Sequence, residues 1–275
     1  MTSINKTSFK ELRKQKINKD YPIAYTHTTH CAGIEKLLLF LLLFMPVFSH
    51  AQIGEHRNTL SIGGNAGYNL TNIRFTPKVV QSMKGGMNFG FTARYTVEKY
   101  FSTIASVQAE INYSQMGWKE DILDANDKAV INTATGLPEN YERTINYIQI
   151  PFMAHLAWGK ENKGLNFFVN AGPQFGIYIS ESTKSNFDFS QMNVTDRANT
   201  IVAQDTMKVE NKFDYGIAAG AGVEWAIPKA GRFTLEARYY YGLGNIYGDS
   251  KRDFFGSSNF GTITIKLGYL FDIMK

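Results

Sequence analysis

The sequence predicts an all-β protein, an eight-stranded antiparallel up-and-down transmembrane β-barrel preceded by a signal peptide. Three observations predict this fold class. Apolar and polar residues alternate with a period of two over several long segments, which is typical of strands that bury one face. The connections between these segments are alternately long and short, and a short uninterrupted apolar run lies ahead of them.

The apolar run, LLLFLLLFMPVF at 37–48, has the length of a signal-peptide core. A helix that crosses a bilayer needs about 20 apolar residues, so this run is too short to span one. Small residues at Ser49 and Ala51 predict cleavage after Ala51. The alternative is a buried core helix, although no amphipathic stripe passes through the run.

Cleavage there would divide the chain into a leader, 1–51, and an outer-membrane barrel domain, 52–275. Residues 1–35 are long and polar for the beginning of a signal peptide. They are either an extended targeting segment or the result of an upstream start codon, and neither interpretation changes the predicted fold.

Charge and cysteine content exclude several classes of protein. The chain has 29 basic and 24 acidic residues, of which seven and three lie in 1–51, so the remainder has 22 basic and 21 acidic residues. Nucleic-acid binding needs a basic face on the working domain, so no nucleic-acid partner is expected. The one cysteine, Cys31, precedes the apolar run, which argues against lipoprotein processing, a disulfide framework and a thiolate zinc site.

Eight segments after the leader show the period-two alternation. Most of them are 11 to 16 residues long, whereas strands of soluble sheets are usually about 5 to 6 residues and a tilted strand needs about 9 to 11 to cross a bilayer. The length therefore favours a membrane barrel. The segments are 59–69, 86–97, 107–114, 144–158, 165–180, 213–227, 233–243 and 261–271.

The connections give a second argument for a membrane barrel. Outer-membrane barrels pair short periplasmic turns with longer extracellular loops, and an even number of strands places both termini in the periplasm. We therefore expect a cell outer-membrane location with periplasmic termini. The long connections are 70–85, 119–143, 181–210 and 245–258, and the short ones are 98–102, 159–164 and 228–232.

In such a barrel the apolar face of each strand contacts lipid and the polar face lines the lumen. Seven charged side chains are then expected in the lumen, where opposite charges can neutralise one another through hydrogen-bonded pairs. Inward-facing Gly216, Gly220 and Gly222 would leave room for the long side chain of Arg238. The seven are Arg94, Glu110, Asp214, Glu224, Glu236, Arg238 and Lys266.

Trp118, Trp158 and Trp225 lie near predicted strand ends. Aromatic rings form girdles at both membrane surfaces, because their bodies are apolar and their polar edges stay hydrated. We expect these three to belong to the girdles, with ordinary core packing as the alternative.

Several stretches, taken together and in order, resemble the PorT-like outer-membrane β-barrel family of Bacteroidota. That family has an I-P-L-type fourth strand, a G-P strand, a D-x-G-x-x-x-G-x-G-x-E strand and an R-Y-x-x-G-L-x-N-I strand. The resemblance implies an integral outer-membrane protein of about eight strands, and links it to secretion across the outer membrane. The matching stretches are INYIQIPFMAHL at 145–156, NAGPQFGIYIS at 170–180, FDYGIAAGAGVEW at 213–225, LEARYYYGLGNI at 235–246 and IKLGYLF at 265–271.

Lys266, Gly268, Phe271 and Ile273 have the spacing polar-x-Gly-x-x-apolar-x-apolar. This spacing resembles the terminal-strand signal that the barrel-assembly machinery recognises. The chain continues to Lys275 instead of ending on an aromatic residue, which is a departure from that signal.

The sequence contains few residues or motifs that indicate catalysis or metal binding. After the leader only His56 and His155 remain, with no nucleophile elbow, phosphate loop or His-Glu-x-x-His motif, so His155 is expected to be structural. The acidic stretch 119–127 lacks the calcium-loop spacing. We expect no enzyme activity, no cofactor and no metal.

The predicted function is that of a non-enzymatic interaction or accessory protein, linked to secretion or envelope integrity, that acts through its extracellular loops or periplasmic rim. Its partners would be outer-membrane lipid, the barrel-assembly machinery and a protein bound through loop 181–210. The aromatic and Met side chains of that loop, Phe187, Phe189 and Met192, could instead cap the barrel. The loop could equally be a variable surface loop with no single ligand. The rival functions are a soluble periplasmic ligand-binding barrel, a small outer-membrane enzyme that uses His155, and a narrow channel.

Overall fold

The structure, a computed structural model, describes residues 54–133, 135–189, 196–248 and 254–274. The leader with its apolar run and the predicted cleavage after Ala51 lie outside the described residues. Nine strands and a one-turn helix, Ala203–Thr206, form in the described part. The strands are β1 (Glu55–Thr76), β2 (Gln81–Ser82), β3 (Lys84–Tyr100), β4 (Thr103–Glu120), β5 (Tyr141–Trp158), β6 (Gly164–Ser185), β7 (Phe213–Ile227), β8 (Gly231–Gly242) and β9 (Ser257–Met274).

Eight of these strands form one closed antiparallel ring. Each long strand pairs with the next one along the chain, and β1 pairs with β9 to close the barrel. The two-residue strand β2 is an addition at one end, where Gln81 and Ser82 pair with the last residues of β4. The predicted all-β, antiparallel up-and-down barrel is confirmed, with this short ninth strand as the only difference in strand number among the described residues.

Long connections lie at one end of the ring, at 77–83, 121–140, 186–212 and 243–256, and we call this the long-loop end. The other, short-turn end carries connections of two to five residues, at 101–102, 159–163 and 228–230. No helix in the described ranges is long and apolar enough to cross a membrane.

Most strands are longer than predicted, mainly toward the long-loop end, whereas β7 has the predicted bounds, 213–227. On β4, prediction stops at residue 114, whereas the strand continues to Glu120. The reason is a reversal of polarity along the strand. Outward Gln115 and Lys119 are polar and inward Met116 and Trp118 are buried and apolar, so the simple pattern of an apolar outside and a polar inside ends there.

The barrel therefore has an apolar exterior and a divided interior. Large apolar side chains such as Phe91, Phe167 and Leu267 are exposed on its outer face. The interior is polar through the middle of the barrel and aromatic at the long-loop end. This is the reverse of a soluble barrel that holds an apolar ligand inside, so the soluble ligand carrier is disfavoured.

Candidate functional site

Four buried charges form an ionic network in the lumen. Arg238 makes a bidentate pair with Glu110, with Nη2 2.8 Å from Oε1 and Nη1 3.0 Å from Oε2. Its Nε donates to Glu236 Oε1 at 2.6 Å. Lys266 Nζ lies 2.5 Å from Glu110 Oε1 and 3.3 Å from Glu236 Oε2. Two positive and two negative groups thus balance in a space closed to solvent.

The closure of the ring brings these groups together. Glu236 on β8 and Lys266 on β9 are register partners, so their side chains point into the lumen side by side. Glu110 comes from β4, which is four strands from β8 in either direction around the ring. The Arg238–Glu110 pair therefore crosses the lumen.

A second ion pair crosses the lumen between β3 and β7. Arg94 binds Glu224 and also donates from Nε to Gln108 at 2.9 Å. Nearer the short-turn end, Arg232 approaches Glu224 at 3.5 Å and Asp272 at 3.4 Å. In these two crossings side chains from opposite walls of the barrel meet in the described interior.

The remaining predicted lumen residue, Asp214, is separate from these networks. Its carboxylate accepts a hydrogen bond from the Tyr240 hydroxyl at 2.7 Å. All seven predicted lumen side chains are buried, six of them in the two networks and Asp214 beside the aromatic interior.

One of the three predicted inward glycines borders the ionic network. Gly220 is the register partner of Arg238, and a Cβ there would lie 2.8 Å from Glu236 Oε1. The other two make room for rings instead, because a Cβ at Gly216 would meet Tyr240 and a Cβ at Gly222 would meet Phe168.

The assignment of Trp118 to an aromatic girdle is wrong. Its side chain is fully buried inside the barrel, 5.3 Å from the Phe75 ring and 6.2 Å from the Tyr141 ring between centroids. Every even-numbered residue of β4 from Ile104 to Glu120 is buried, so Trp118 shares the inward face of Glu110.

Trp158 and Trp225 lie on the outer face at the short-turn end, about half exposed. They stand next to the connections 159–163 and 228–230, where the girdle of that end would lie.

Around Trp118 an aromatic core fills the long-loop end. It includes Phe75, Tyr141, Tyr147, Tyr240, Tyr247, Phe255 and Phe260, with Trp118 itself.

A segment of loop 186–212, which we call the plug (residues 196–209), covers this aromatic core. Its one-turn helix inserts Gln204, whose Nε2 donates to Glu120 Oε1 at 2.9 Å. The backbone carbonyl oxygen of Gln204 accepts a hydrogen bond from Arg143 Nη1 at 3.0 Å. Val209 is buried with the core, and Ile201 and Met207 pack against it. The plug thus binds β4 and β5 from inside the barrel mouth.

The loop's aromatic side chains also turn inward. Phe187 is buried and Phe189 packs edge-on against Tyr141, at 6.1 Å between ring centroids. Of the three side chains predicted either to bind a partner or to cap the barrel, these two cap it. Met192 lies outside the described residues.

Asp205 gives the plug an unusual electrostatic character. Its carboxylate is buried beside Glu120, and the nearest cation, Arg197 Nη1, is 3.8 Å away. Arg197 is engaged mainly by Glu139, at 2.8 Å. Burial, together with repulsion from Glu120, raises the pKa of Asp205 to about 8.

His155 lies on the inward face of β5 with its ring 4.7 Å from that of Phe168. Neither ring nitrogen hydrogen-bonds to another described residue. His56 is exposed near the beginning of β1. Within the described ranges, no group of three or more His, Cys, Asp or Glu side chains could hold a metal ion.

The predicted terminal-strand signal divides between the two faces of β9. Lys266 and Gly268 point toward the lumen, and Phe271 and Ile273 lie about half exposed on the outer face. Phe271 and Ile273 are therefore accessible from outside the barrel, and their part in a terminal-strand signal stays a prediction.

Comparison with solved structures finds other small outer-membrane barrels at low similarity. Ail, the attachment invasion locus protein of Yersinia pestis, is 14% identical over 78% of this chain and 100% of its own, with a TM-score of 0.34. The N-terminal barrel of Pseudomonas aeruginosa OprF is 12% identical over 79% and 100%, with a TM-score of 0.35. OprG from the same organism is 12% identical over 79% and 98%, with a TM-score of 0.37. No curated protein matches the chain.

The profile of the outer membrane protein beta-barrel domain matches residues 50–248, which is more than half of the chain and includes most of the ring. The closed antiparallel barrel, its apolar exterior and its polar lumen agree with that match. The chain belongs to the outer membrane protein beta-barrel domain family.

Proposed function

We propose that this outer-membrane barrel is a non-catalytic, non-conducting protein that binds a partner at the cell surface through its long-loop end. The observation that carries the proposal is the closed interior. Two ion pairs cross the lumen, and the plug covers the aromatic core above them. An eight-stranded barrel has room for side chains and little else, so function falls to the loops.

The orientation that this function requires places the long-loop end outside the cell and both termini in the periplasm. It is supported by the short turns at the other end and by the outward residues of β5. These are apolar from Trp158 to Ile148 and polar at Asn146, Thr144 and Glu142. The polar part would stand above the membrane on the loop side.

Cysteine labelling of intact cells tests the orientation, because the barrel domain has no cysteine of its own. Leu137→Cys, in an exposed part of loop 121–140, should react with a membrane-impermeant maleimide. Lys163→Cys, in a short turn, should react only after the outer membrane is broken. The reverse pattern would contradict the orientation.

The surface proposed for the partner lies between loop 121–140 and the beginning of loop 186–212. Ile131 and Leu137 are more than half exposed there. A depression of about 410 Å³ next to Ile131 is lined by Asn132, Asn186 and Phe187, and also by the acidic residues Glu139, Asp188 and Asp196. Apolar side chains next to polar amides are typical of protein interfaces.

A photo-crosslinking amino acid tests this surface on living cells. Placed at Leu137, it should give a discrete higher-mass adduct on illumination, and the same residue at the outward-facing Leu165 near the short-turn end should not. If neither Leu137 nor Ile131 gives an adduct under any growth condition, the proposed function fails.

The finer assignment to the PorT-like subgroup, with a role in secretion, rests on the five stretches that carry the resemblance. Deleting the gene and comparing the secreted proteins tests it. Loss of a defined set of secreted proteins, restored by the wild-type gene, would support the role. If the secreted proteins are unchanged, the secretion role is wrong. A role in envelope integrity, measured as detergent sensitivity, would then remain.

A further inference from the structure

The outer face of the barrel carries an apolar groove over β1. Its floor is formed by Gly64 and Ala66, and the ridges on either side by Phe89 and Phe91 of β3 and by Phe233 and Tyr269 of β8 and β9. The groove has a volume of about 650 Å³. Gly64 is the register partner of both Phe91 and Tyr269, so the smallest residue lies between two large rings.

The barrel backbone does not require glycine at the groove floor. A Cβ built on Gly64 would meet only the Gly90 carbonyl oxygen, at 3.7 Å, which is an ordinary contact. The neighbouring Gly63 is different, because a Cβ there would lie 1.7 Å from the Tyr269 carbonyl oxygen. Strand packing explains Gly63 and leaves Gly64 to be explained by what lies outside it.

Hydrocarbon is the medium that the groove faces, since it continues the lipid-contacting exterior of an outer-membrane barrel. Water would find almost no hydrogen-bonding partners along Phe89, Phe91 and Phe233, so the groove does not hold ordered water. A flexible apolar chain laid over Gly64 would instead contact protein on three sides and gain dispersion energy that a flat face does not offer.

A positive charge lies next to the short-turn end of the groove. Tyr269 reaches from the groove wall to the turn 228–230, where its hydroxyl donates to the Ala230 carbonyl. Lys229 stands exposed at the centre of that turn, with a left-handed φ of 66°. An ammonium group at the membrane surface attracts a lipid phosphate.

We propose that the groove binds one phospholipid of the leaflet at the short-turn end, with an acyl chain over Gly64 and its phosphate near Lys229. The site rests on the membrane location of the barrel and not on the proposed surface partner. Its success or failure is therefore independent of the crosslinking result at Leu137.

Native mass spectrometry of the barrel, extracted from membranes in a mild detergent, tests the site. We expect one retained phospholipid on the wild-type protein. Gly64→Leu should fill the groove and lower the lipid-bound fraction about tenfold, and Ala66→Leu, a second filling variant, should do the same. Lys229→Gln should lower it several-fold. The matched control Ala154→Leu, on the outer face of β5, should leave it unchanged.

Each variant is first checked for the heat-dependent gel shift of a folded barrel. Three results would overturn the proposal: no phospholipid on the wild-type barrel, equal retention in the wild type and both filling variants, or lipopolysaccharide in place of phospholipid. A dimer that Gly64→Leu abolishes would also overturn it, because the groove would then belong to a second copy of the chain.

Discussion

Arg238 and Glu110 hold opposite walls of the barrel together by two parallel hydrogen bonds, of 2.8 and 3.0 Å, across the lumen. Arg238 on β8 lies beside its register partner Gly220 on β7, and Glu110 lies on β4, on the far side of the ring. Lys266 and Glu236 complete a neutral cluster around them. Removal of any one charge leaves another uncompensated in a place that water does not easily reach.

The first prediction concerns the stability of this cluster. Arg238→Ala or Glu110→Ala should lower the free energy of unfolding by about 3–5 kcal/mol, because each leaves an unpaired buried charge. Glu224→Ala should have a similar effect through Arg94. Urea unfolding in lipid vesicles measures this, with exposed Glu55→Ala as a control that should change little. Neutral effects at both Arg238 and Glu224 would show that the inward assignment is wrong.

The second prediction concerns the pH dependence of the plug. Since burial beside Glu120 raises the pKa of Asp205 to about 8 in the folded protein, from an ordinary 3.8, the neutral carboxyl favours docking. The docked plug should be most stable below about pH 4 and should lose stability as the pH rises through 8. The protection factors of the amides at 201–207, which compare measured exchange with the intrinsic base-catalysed rate at each pH, should therefore fall over this range.

Asp205→Asn tests the assignment of this pH dependence, because it keeps the shape of the side chain and cannot ionise. The protection factors at 201–207 should then lose most of their change between pH 5 and 9. Asp124→Asn, in an exposed loop where backbone N–H groups lower the pKa of the carboxyl, is the control and should keep the wild-type profile. An identical profile in Asp205→Asn would remove Asp205 from this role.

The third prediction separates the tryptophans. Variants that keep one tryptophan and replace the other two by Phe should differ in quenching by brominated lipids. Trp158 and Trp225, on the outer face, should be quenched. Trp118, inside the aromatic core, should be quenched neither by brominated lipid nor by acrylamide. Quenching of Trp118 by brominated lipid would contradict its position inside the barrel and show that it belongs to the aromatic girdle.

The fourth prediction concerns assembly, which we propose depends on the outward residues of β9. Phe271→Ser should slow the appearance of the heat-shifted, folded form when the chain is exported. Phe167→Ser, on the outer face of β6 with comparable exposure, is the matched control and should have a smaller effect. Equal effects would mean that only lipid contact is lost, with no terminal-strand signal.

The alternation of residues along each strand is enough to predict which side chains point into the lumen at several positions. Glu110 and Glu236 alternate with apolar outward neighbours, so their inward direction follows from the period of two. Trp118 has the same alternation and so also points inward. The outward residues are polar from Gln115 onward, so the sequence pattern no longer shows that the strand continues. Residue type alone favours the girdle for a tryptophan near a strand end, whereas its even-numbered position on β4 places Trp118 inside the barrel.

Other relationships have no local signal in the sequence. The identity of the basic side chain that pairs with Glu110 depends on how the ring closes and how its strands are staggered. That side chain, Arg238, is 128 residues away along the chain. The contact between Gln204 and Glu120 joins a loop to a strand end over 84 residues, and no periodic pattern marks a plug of one helical turn. These contacts become visible only in the folded chain.

Conductance across a planar lipid bilayer tests the central claim most directly, which is that the barrel is closed from within. The wild-type protein should give no steady current. A known porin added to the same bilayer shows that insertion can be detected, and the heat-dependent gel shift shows that the wild-type protein in the preparation is folded. A steady current through the wild type, abolished when the protein is unfolded by heat, would contradict the claim and identify a channel.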